Sequence, residues 1–356
     1  MRELTIMTTG LVCLCVLLAG CSPQSEPAAK ASGAPEASRS PEQAALAKEV
    51  GSLGWIAFGA RTEQGDWDLF VMRPDGSACR NITNTPGFNE AAPRFSPDGR
   101  KLLYRRMNKA TQIDGNRYGM QGQLVIANSE GSDPKVVGGE GEFPWATWGP
   151  DGKQVACLNP KGITFVELAT GKVVRTLDRK GIFQQLSWSP DGKWLAGVAN
   201  FGEVWTIVRM DAVSGELNPV HDYQNCTPHW FADSVHLLFS YRPAGQEKEN
   251  NGDGWSQLYT AKGDGTDSGM VYGEDGVHIY GNMPSPDGKY VVFTRSVSED
   301  GDPHNAGSPM AIMRLSDAPA LGGKSVTLRK QHKEAKDGLL LNLPNGWKPY
   351  WATPNL

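Results

Sequence analysis

A short motif recurs along the chain, and its form narrows the possible folds. The first copy reads Pro-Arg-Phe-Ser-Pro-Asp-Gly-Arg-Lys-Leu-Leu-Tyr over 93–104, and further copies, some of them degenerate, begin at Thr147, Ser187, Pro228 and Pro284. In this motif Pro presets the first turn position, Asp bonds its own backbone, and Gly takes a left-handed conformation. Each copy therefore predicts a β-hairpin with one strand entering the turn and one leaving it.

Another β run and a second turn follow each hairpin. Asp68–Met72 precedes a turn at 75–76, and Leu124–Ala127 precedes a turn at 130–131. Continued along the chain, this pattern gives six units of four antiparallel strands. Four-stranded sheets repeated around an axis leave only short, protected edges. We therefore predict an all-β fold, namely a six-bladed β-propeller of four-stranded antiparallel blades.

The two ends of the repeat region complete each other. Pro349–Thr353 is the entering half of a motif that stops before its leaving strand, whereas Gly54–Phe58 is a leaving half with no entering strand before it. A solenoid or an open array would not need such halves. The N- and C-terminal strands are therefore expected to share one blade and to close the ring.

The N-terminal region differs from the repeats. The apolar run from Leu4 to Gly20 is short for a permanent membrane span, which needs about 20 apolar residues, so it indicates a cleaved signal peptide over 1–20. The stretch 21–50 is rich in Ala, Ser, Pro and Glu and is interpreted as a disordered linker. The folded domain is then expected over 51–356.

Leu18-Ala19-Gly20-Cys21 resembles the lipobox of bacterial lipoproteins. The resemblance implies cleavage before Cys21 and a lipid on its sulfur, so that the membrane is a partner through that lipid. Acyl chains contribute about 0.8 kcal/mol per buried CH₂, enough for stable attachment. By the same resemblance, if the organism is Gram-negative, Ser22 implies the outer membrane, facing the periplasm or the cell surface. An ordinary signal peptide followed by a chance Cys is the alternative.

Charge and cysteine content limit the partners and the covalent framework. The formal net charge is -4, and Lys and Arg form no run, which argues against nucleic acid as a partner. Beyond Cys21 the chain contains Cys79, Cys157 and Cys226, so at most one disulfide can form within the domain.

The repeat Pro-x-aromatic-Ser-Pro-Asp-Gly-Lys/Arg, followed by Ile-Ala-Phe and Asp-Leu-Phe-Val-Met-x-x-Asp-Gly, resembles the repeats of TolB-type propellers. Ile56–Thr83 is the nearest match, and the likeness extends over about 53–356. It implies the propeller fold. TolB itself carries an additional N-terminal α/β domain, whereas a linker precedes the blades here, so the resemblance does not carry the Tol-Pal system over to this chain.

Loop length suggests which side of the disc is functional. Three loops between second and third strands are long, at Arg105–Gly122, Arg242–Ser256 and Ser296–Pro309. Equivalent insertions emerge on one face, together with the loops that join successive blades. The candidate binding face is therefore formed by Glu90, Glu142, Phe143, Gln184, Tyr223, Asn225, His278, Tyr280 and Trp347. The alternative is that these are ordinary polar loop residues.

Histidines could form a metal site if separate loops brought them together at the channel mouth. The candidates are His221, His229, His278 and His304. The sequence contains no Gly-x-Ser-x-Gly, no His-Glu-x-x-His and no phosphate-binding glycine loop, and we expect no cofactor. A third set recurs at one repeat position and predicts packing between blades, namely Trp148, Trp188, Trp230 and Trp351.

Two functions fit these observations. The first is a lipid-anchored cell-envelope propeller that acts as a non-enzymatic binding or scaffolding module for a protein or carbohydrate partner. The alternative is a metal-assisted lyase or hydrolase that acts on a polysaccharide fragment at the propeller mouth.

Overall fold

The computed structural model describes residues 39–110, 121–202, 204–242, 256–274, 277–297, 308–318, 339–354 and 356. The signal peptide, Cys21 and His304 lie outside these residues, as do most of the three long loops. No helix in the described part of the chain is long and apolar enough to cross a membrane.

Within these ranges, twenty-four strands form six four-stranded sheets, which we number as blades 1 to 6. Blade 1 contains β1 (Trp55–Arg61), β2 (Trp67–Met72), β3 (Arg80–Asn81) and β24 (Trp347–Ala352). Blade 2 contains β4 (Phe88–Phe95), β5 (Lys101–Asn108), β6 (Gln123–Asn128) and β7 (Lys135–Val137). Blade 3 contains β8 (Trp145–Trp148), β9 (Gln154–Asn159), β10 (Gly162–Glu167) and β11 (Lys172–Leu177).

The second half of the ring has the same plan. Blade 4 contains β12 (Ile182–Trp188), β13 (Trp194–Phe201), β14 (Val204–Asp211) and β15 (Leu217–His221). Blade 5 contains β16 (Asn225–Trp230), β17 (His236–Tyr241), β18 (Gln257–Lys262) and β19 (Gly269–Tyr272). Blade 6 contains β20 (Val277–Pro284), β21 (Tyr290–Val297), β22 (Pro309–Arg314) and β23 (Leu340–Asn345). A helix α1 (Pro41–Val50) precedes blade 1, and a 3-10 helix (Leu315–Asp317) follows β22.

The ring closes as the repeat pattern predicts. The C-terminal β24 pairs antiparallel with β1, and Ile56 lies opposite Trp351. The indole nitrogen of Trp351 also donates to the carbonyl of Leu53 at 2.6 Å. The all-β fold of six four-stranded blades, with terminal strands sharing one blade, is confirmed.

Antiparallel order gives the disc two distinct faces. Turns joining the first strand to the second and the third to the fourth emerge on one side, which we call the turn face. Loops joining the second strand to the third, and each blade to the next, emerge on the other side, the loop face. The three long loops lie between the second and third strands of blades 2, 5 and 6, as predicted.

The recurring motif forms the hairpin turn that its residues predict. The hydroxyl of Ser96 donates to the Asp98 carboxylate at 2.6 Å and accepts from the backbone N–H of Lys101 at 2.9 Å. Gly99 has a φ of +68°, and a Cβ there would lie 2.6 Å from the Cα of Pro354. Only glycine therefore fits this turn against the C-terminal segment.

The repeated tryptophans pack between blades, which confirms that prediction. Trp148 donates to the carbonyl of Arg94 in blade 2 at 2.9 Å, and Trp230 donates to the carbonyl of Ser187 in blade 4 at 3.2 Å. The other two indoles lie against rings of the preceding blade, Trp188 against Phe165 and Trp351 against Tyr290. Each indole thus joins two sheets that share no ladder hydrogen bonds.

Residues 41–50 differ from the expected disordered linker, because they form helix α1. Ser40 and Gln43 form a capping box, and Pro41 lies in the first turn, so the helix start is well specified. Leu46 and Val50 lie on one side of the helix and are fully buried. The prediction failed here because the Ala, Ser and Pro content was averaged over the whole stretch, which hid this short amphipathic segment.

Helix α1 is held against blade 6 by polar contacts as well. The Gln43 amide donates to the carbonyl of Leu340 in β23 at 3.0 Å. Glu49 accepts from Arg314 at 2.7 Å and from Tyr290 at 3.2 Å. Tyr290 begins β21 and Arg314 ends β22, so α1 lies at the turn-face end of this blade.

Candidate functional site

A cavity of ≈ 300 Å³ opens at the centre of the turn face. All six blades line it through the ends of their innermost strands and the turns that follow. This volume is at the lower end of the range for small-molecule sites, and such sites commonly lie where several elements converge. We call this cavity the channel mouth.

An irregularity of the innermost strands determines which side chains reach the channel mouth. In five blades the register of the innermost strand shifts at a bulge, and blade 3 is the exception. A bulge inserts an unpaired residue and re-aims the side chains that follow. The residue that follows the last bulge in each of these five strands lines the cavity, namely Arg94, Ser187, His229, Met283 and Tyr350. Thr147 of blade 3 lines it as well.

Arg94 connects three blades across the channel. Its guanidinium donates to the hydroxyl of Thr147 in blade 3 at 3.1 Å and to the carbonyl of Leu186 in blade 4 at 2.8 Å. A guanidinium has five N–H donors in a fixed planar fork. The two contacts therefore orient the group while its charge still faces the cavity it lines.

Below the mouth the channel narrows to a cavity of ≈ 30 Å³, which has room for about one water molecule. Arg94, His229 and Tyr350 line both cavities, and Lys348 lines the lower one. The ammonium of Lys348 lies 4.6 Å from the ring centre of Trp145, in cation–π contact.

The positive charge in the channel changes the titration of its basic groups. Burial, and then the Arg105 and Arg94 charges, lower the pKa of Lys348 to about 7. Burial, and then the Arg94 and Lys348 charges, hold the pKa of His229 well below its usual value. His229 is therefore neutral at pH 7. Of the described residues that line the two cavities, none is Asp or Glu.

The walls of the channel mouth offer mainly apolar surface. They are lined by the four repeated tryptophans and by Pro97, Pro150, Pro190, Pro284 and Pro286. Four serines also line the mouth, one of which is Ser187. The hydroxyls of the other three, Ser96, Ser189 and Ser285, each donate to the Asp of their own turn at 2.6–2.7 Å. The site thus combines an apolar rim with a basic floor.

The nine residues of the sequence-derived binding face lie at the loop-face ends of the innermost strands or in the loops before them. Most have little surface to offer a partner, because seven are buried: Glu90, Phe143, Gln184, Asn225, His278, Tyr280 and Trp347. Glu142 is exposed and Tyr223 is half-buried. The structure therefore spreads these residues around the ring.

Two of the buried members, Asn225 and Trp347, make contacts that hold the fold together. The Asn225 amide donates to the carbonyls of His221 and Tyr223 at 3.0 and 3.1 Å, which holds the connection into blade 5. Trp347 packs edge-on against Trp67 with ring centres 5.8 Å apart. Neither polar atom of the buried Gln184 amide has a hydrogen-bond partner among the described residues.

The described histidines of the metal hypothesis lie in separate places. His221 packs against Tyr241 in an aromatic cluster. Its Nδ1 and the Oδ1 of Asn225 share a hydrogen bond of 3.0 Å. His278 is buried against Ser256 at 3.1 Å, and His229 is in the channel. Within the described ranges, no group of three His, Cys, Asp or Glu side chains is placed to hold a metal ion. Cys79, Cys157 and Cys226 are free thiols.

The sequence analysis missed Arg94, Tyr350 and Lys348 as site residues. A signal for two of them lies in the repeat itself, at the variable position between Pro and the aromatic residue. Arg94, His229 and Tyr350 all occupy this position, in the runs 93–95, 228–230 and 349–351. The flanking residues are dictated by the turn and by the inter-blade packing, so the variable residue is the one open to function.

No family model matches the chain. A TolB homolog of Chlorobium luteolum is 42% identical over 41 residues, which is 12% of this chain and 9% of that protein. TolB of Acinetobacter baumannii superposes with a TM-score of 0.60 at 18% identity, covering 85% of this chain and 67% of that one. A putative TolB of Agrobacterium tumefaciens gives 0.53 at 20% identity, covering 83% and 90%.

The fold and the cavity define a closed six-bladed β-propeller with a pocket at its axis. Together with the matching segment, the two superpositions show that the fold is that of the TolB-like propellers, as the repeat resemblance implied. The aligned segment spans less than a tenth of the curated relative, so the likeness concerns the fold and leaves activity and partners to proposal.

Proposed function

We propose that this chain is a non-enzymatic binding module of the cell envelope, which holds a protein or carbohydrate partner at the channel mouth. The supporting observation is the cavity of ≈ 300 Å³ to which all six blades contribute. Variable side chains point into it from a frame that the repeat holds constant. A rigid scaffold that presents variable residues is typical of recognition sites.

Location in the envelope is part of this proposal. It is supported by the signal peptide and lipobox resemblance at Leu18–Cys21 and by the TolB-like fold. A lipid on Cys21 would hold the propeller at a membrane through the segment before α1. Because α1 packs at the turn-face end of blade 6, the tether would reach the domain on the side that carries the channel mouth.

Partner capture with blocked faces tests the proposal. Ala232 is exposed at the rim of the channel mouth, so Ala232→Trp fills the entrance without removing a core contact. Gln64 is exposed in the loop between β1 and β2, so Gln64→Trp adds the same ring to the loop face. Each variant would be crosslinked in the native envelope, and its partners identified by mass spectrometry.

We expect Ala232→Trp to lose partners that the unmodified chain and Gln64→Trp both retain. Thermal unfolding of each variant checks that the fold is intact. Loss only in Gln64→Trp would contradict the channel mouth as the site and would support the loop face predicted from loop lengths.

The alternative, a metal-assisted lyase or hydrolase acting on a polysaccharide fragment, makes a separate prediction. Of the described histidines considered for this site, His229 lines the channel, so it is the imidazole to test as a metal ligand. Metal analysis of the purified full chain separates the two functions, since zinc or manganese at one equivalent supports the enzyme. If His229→Gln no longer retained that metal, His229 would be one of its ligands and the metal would lie in the channel.

A further inference from the structure

We propose that blades 4 and 5 form a second binding site at the loop face, which takes a neutral oligosaccharide. This inference goes beyond the proposed function, because the site lies on the opposite side of the disc from the channel mouth. It rests on the position, exposure and hydrogen-bonding groups of four side chains, which we call the loop-face cluster: Trp205, His221, Tyr241 and Tyr259.

Strand order brings these four side chains to one end of the interface between blades 4 and 5. In blade 4, Trp205 is the second residue of β14 and His221 ends β15. In blade 5, Tyr241 ends β17 and Tyr259 is the third residue of β18. Third strands begin at the loop face and second and fourth strands end there, so all four residues lie near that face. The Asn225 amide, at the start of blade 5, joins the two blades by donating to the carbonyls of Trp205 and His221 at 3.2 and 3.0 Å.

The rings of the loop-face cluster pack together but are only half-buried. His221 lies edge-on to Tyr241 with ring centres 4.7 Å apart, and Tyr241 lies edge-on to Tyr259 at 4.9 Å. Among the described residues, the partly buried aromatics that pack against a core cluster near the loop face all belong to this interface: Phe183, Trp205, Tyr241 and Tyr259. Neighbouring rings that remain partly exposed leave apolar area for a ligand to cover.

The loop-face cluster also offers two hydroxyls. Neither the Tyr241 nor the Tyr259 hydroxyl has a hydrogen-bond partner among the described residues. Burial raises the pKa of both phenols, so these hydroxyls keep their protons at neutral pH and can donate. An apolar partner that covered them would leave each one unpaired, at a cost of about 1–3 kcal/mol. We therefore expect a ligand with hydrogen-bonding groups of its own.

The charges beside the cluster favour a ligand without net charge. After burial, the charge of Asp222 is the second cause of the raised pKa of Tyr241, so this exposed carboxylate lies near the cluster. Arg242 follows Tyr241 in the chain, and its positive charge offsets that of Asp222. Burial lowers the pKa of His221, so its ring is neutral at pH 7. Neither an acid nor a base is selected by this balance.

The ring spacing decides between a sugar and an organic cation. In an aromatic cage the cation lies between several rings, within about 6 Å of their centres. Rings in edge-on contact at 4.7 and 4.9 Å leave no room for an ammonium group between them. A ligand therefore lies across the rings, as the C–H-rich face of a pyranose can. The Asp222 carboxylate has two acceptor oxygens, which can take hydrogen bonds from two adjacent sugar hydroxyls.

The test uses the full chain in a zwitterionic, sugar-free detergent. Cellotriose and tri-N-acetylchitotriose are the neutral probes, trigalacturonate is the acidic counterpart, and glycerol supplies hydroxyls without a ring face. Calorimetry measures the affinity of each probe. We expect at least one neutral trisaccharide to bind with a Kd of about 1 mM or tighter, and at least tenfold more tightly than trigalacturonate. Glycerol should show no saturable binding.

Variants then assign the contacts. Tyr241→Phe combined with Tyr259→Phe removes both hydroxyls and keeps the rings, so it should weaken trisaccharide binding about tenfold. Trp205→Ala removes apolar area and should also weaken binding about tenfold. Phe88→Ala is the matched control, because this ring is 39% exposed at the loop-face end of blade 2, and it should leave the affinity unchanged. Thermal unfolding checks each fold, and the double tyrosine variant decides if Trp205→Ala unfolds.

Several outcomes would overturn the inference. It fails if neither neutral trisaccharide binds, if trigalacturonate binds as tightly as they do, or if the double tyrosine variant binds them with unchanged affinity. Ala232→Trp, which fills the channel mouth, should leave trisaccharide binding intact. If this variant abolishes the binding, the sugar lies at the channel mouth, so the inference fails while the proposed function stands.

Discussion

Glu90 provides a sharp test of the electrostatics of this propeller. Its side chain is fully buried on β4, where it accepts hydrogen bonds from Thr85 and from Arg106, the latter at 3.1 Å. Its second carboxylate oxygen has no hydrogen-bond partner among the described residues. Burial raises the pKa of Glu90 to about 7, with a further contribution from the charge of Asp68.

The direction of the stability effect follows from this shift. Between pH 4.5 and about 7 the folded protein keeps a proton that the unfolded chain has lost, so stability is greatest below this range and falls as pH rises through it. The change from 4.5 to about 7 corresponds to roughly 3 kcal/mol. Glu90→Gln preserves the shape of the side chain but cannot ionise. The free energy of unfolding of this variant should therefore not fall over the same pH range.

Urea unfolding of the unmodified protein and of Glu90→Gln, from pH 4.5 to 8, measures the effect. The difference between the two free energies of unfolding should change by roughly 3 kcal/mol in favour of Gln as pH rises. Glu142→Gln is the matched control, because this carboxylate lies near the start of the next innermost strand but is exposed. A Glu90→Gln difference that stays constant across the range would refute the reasoning.

Three further predictions concern the anchor, the closure and the helix. Cys21→Ser should release the protein from membranes, as fractionation with labelled palmitate would show; continued pelleting with label uptake would contradict the lipobox interpretation. Deleting Tyr350–Leu356 removes the second half of β24 and exposes two sheet edges, so we expect aggregation or a large loss of stability, and unchanged cooperative unfolding would contradict closure. Leu46→Ala should cost about 2–5 kcal/mol in urea unfolding because the side chain is fully buried, whereas Lys48→Ala, exposed on the same helix, should cost little.

The fold could be predicted because each repeat contains the residues that specify its turn. Pro-Asp-Gly with a preceding Ser specifies a hairpin through local contacts alone, as the Ser96–Asp98 bond shows. Repetition then converts one hairpin into a ring, and the split motif at the termini closes it. Local rules decide each of these steps, so no knowledge of distant contacts was needed.

Helix α1 shows that such local reasoning must be applied to short segments and not to the average composition of a long stretch. Its start was visible in Ser40, Pro41 and Gln43, which form an N-terminal capping pattern. Its burial was less visible, because the helix depends on contact with strands some 300 residues later in the chain, as the bond from Gln43 to Leu340 illustrates. Composition averaged over the stretch gave greater weight to Ala, Ser and Pro than to two buried apolar residues.

Strand periodicity did not predict the candidate site, and the reason is geometric. Strand periodicity assigns alternate residues to opposite faces, but a bulge shifts that assignment by one position. The bulge between Ala91 and Arg94 therefore sends Arg94 towards the channel, and the same shift in blade 5 does so for His229. Blade 3 has no such shift, yet Thr147 also lines the cavity, so strand periodicity alone does not place all six channel residues, whereas their shared position in the repeat does. The basic groups of the channel come together only when the ring forms, because Arg94, His229 and Lys348 belong to three different blades and meet at its axis.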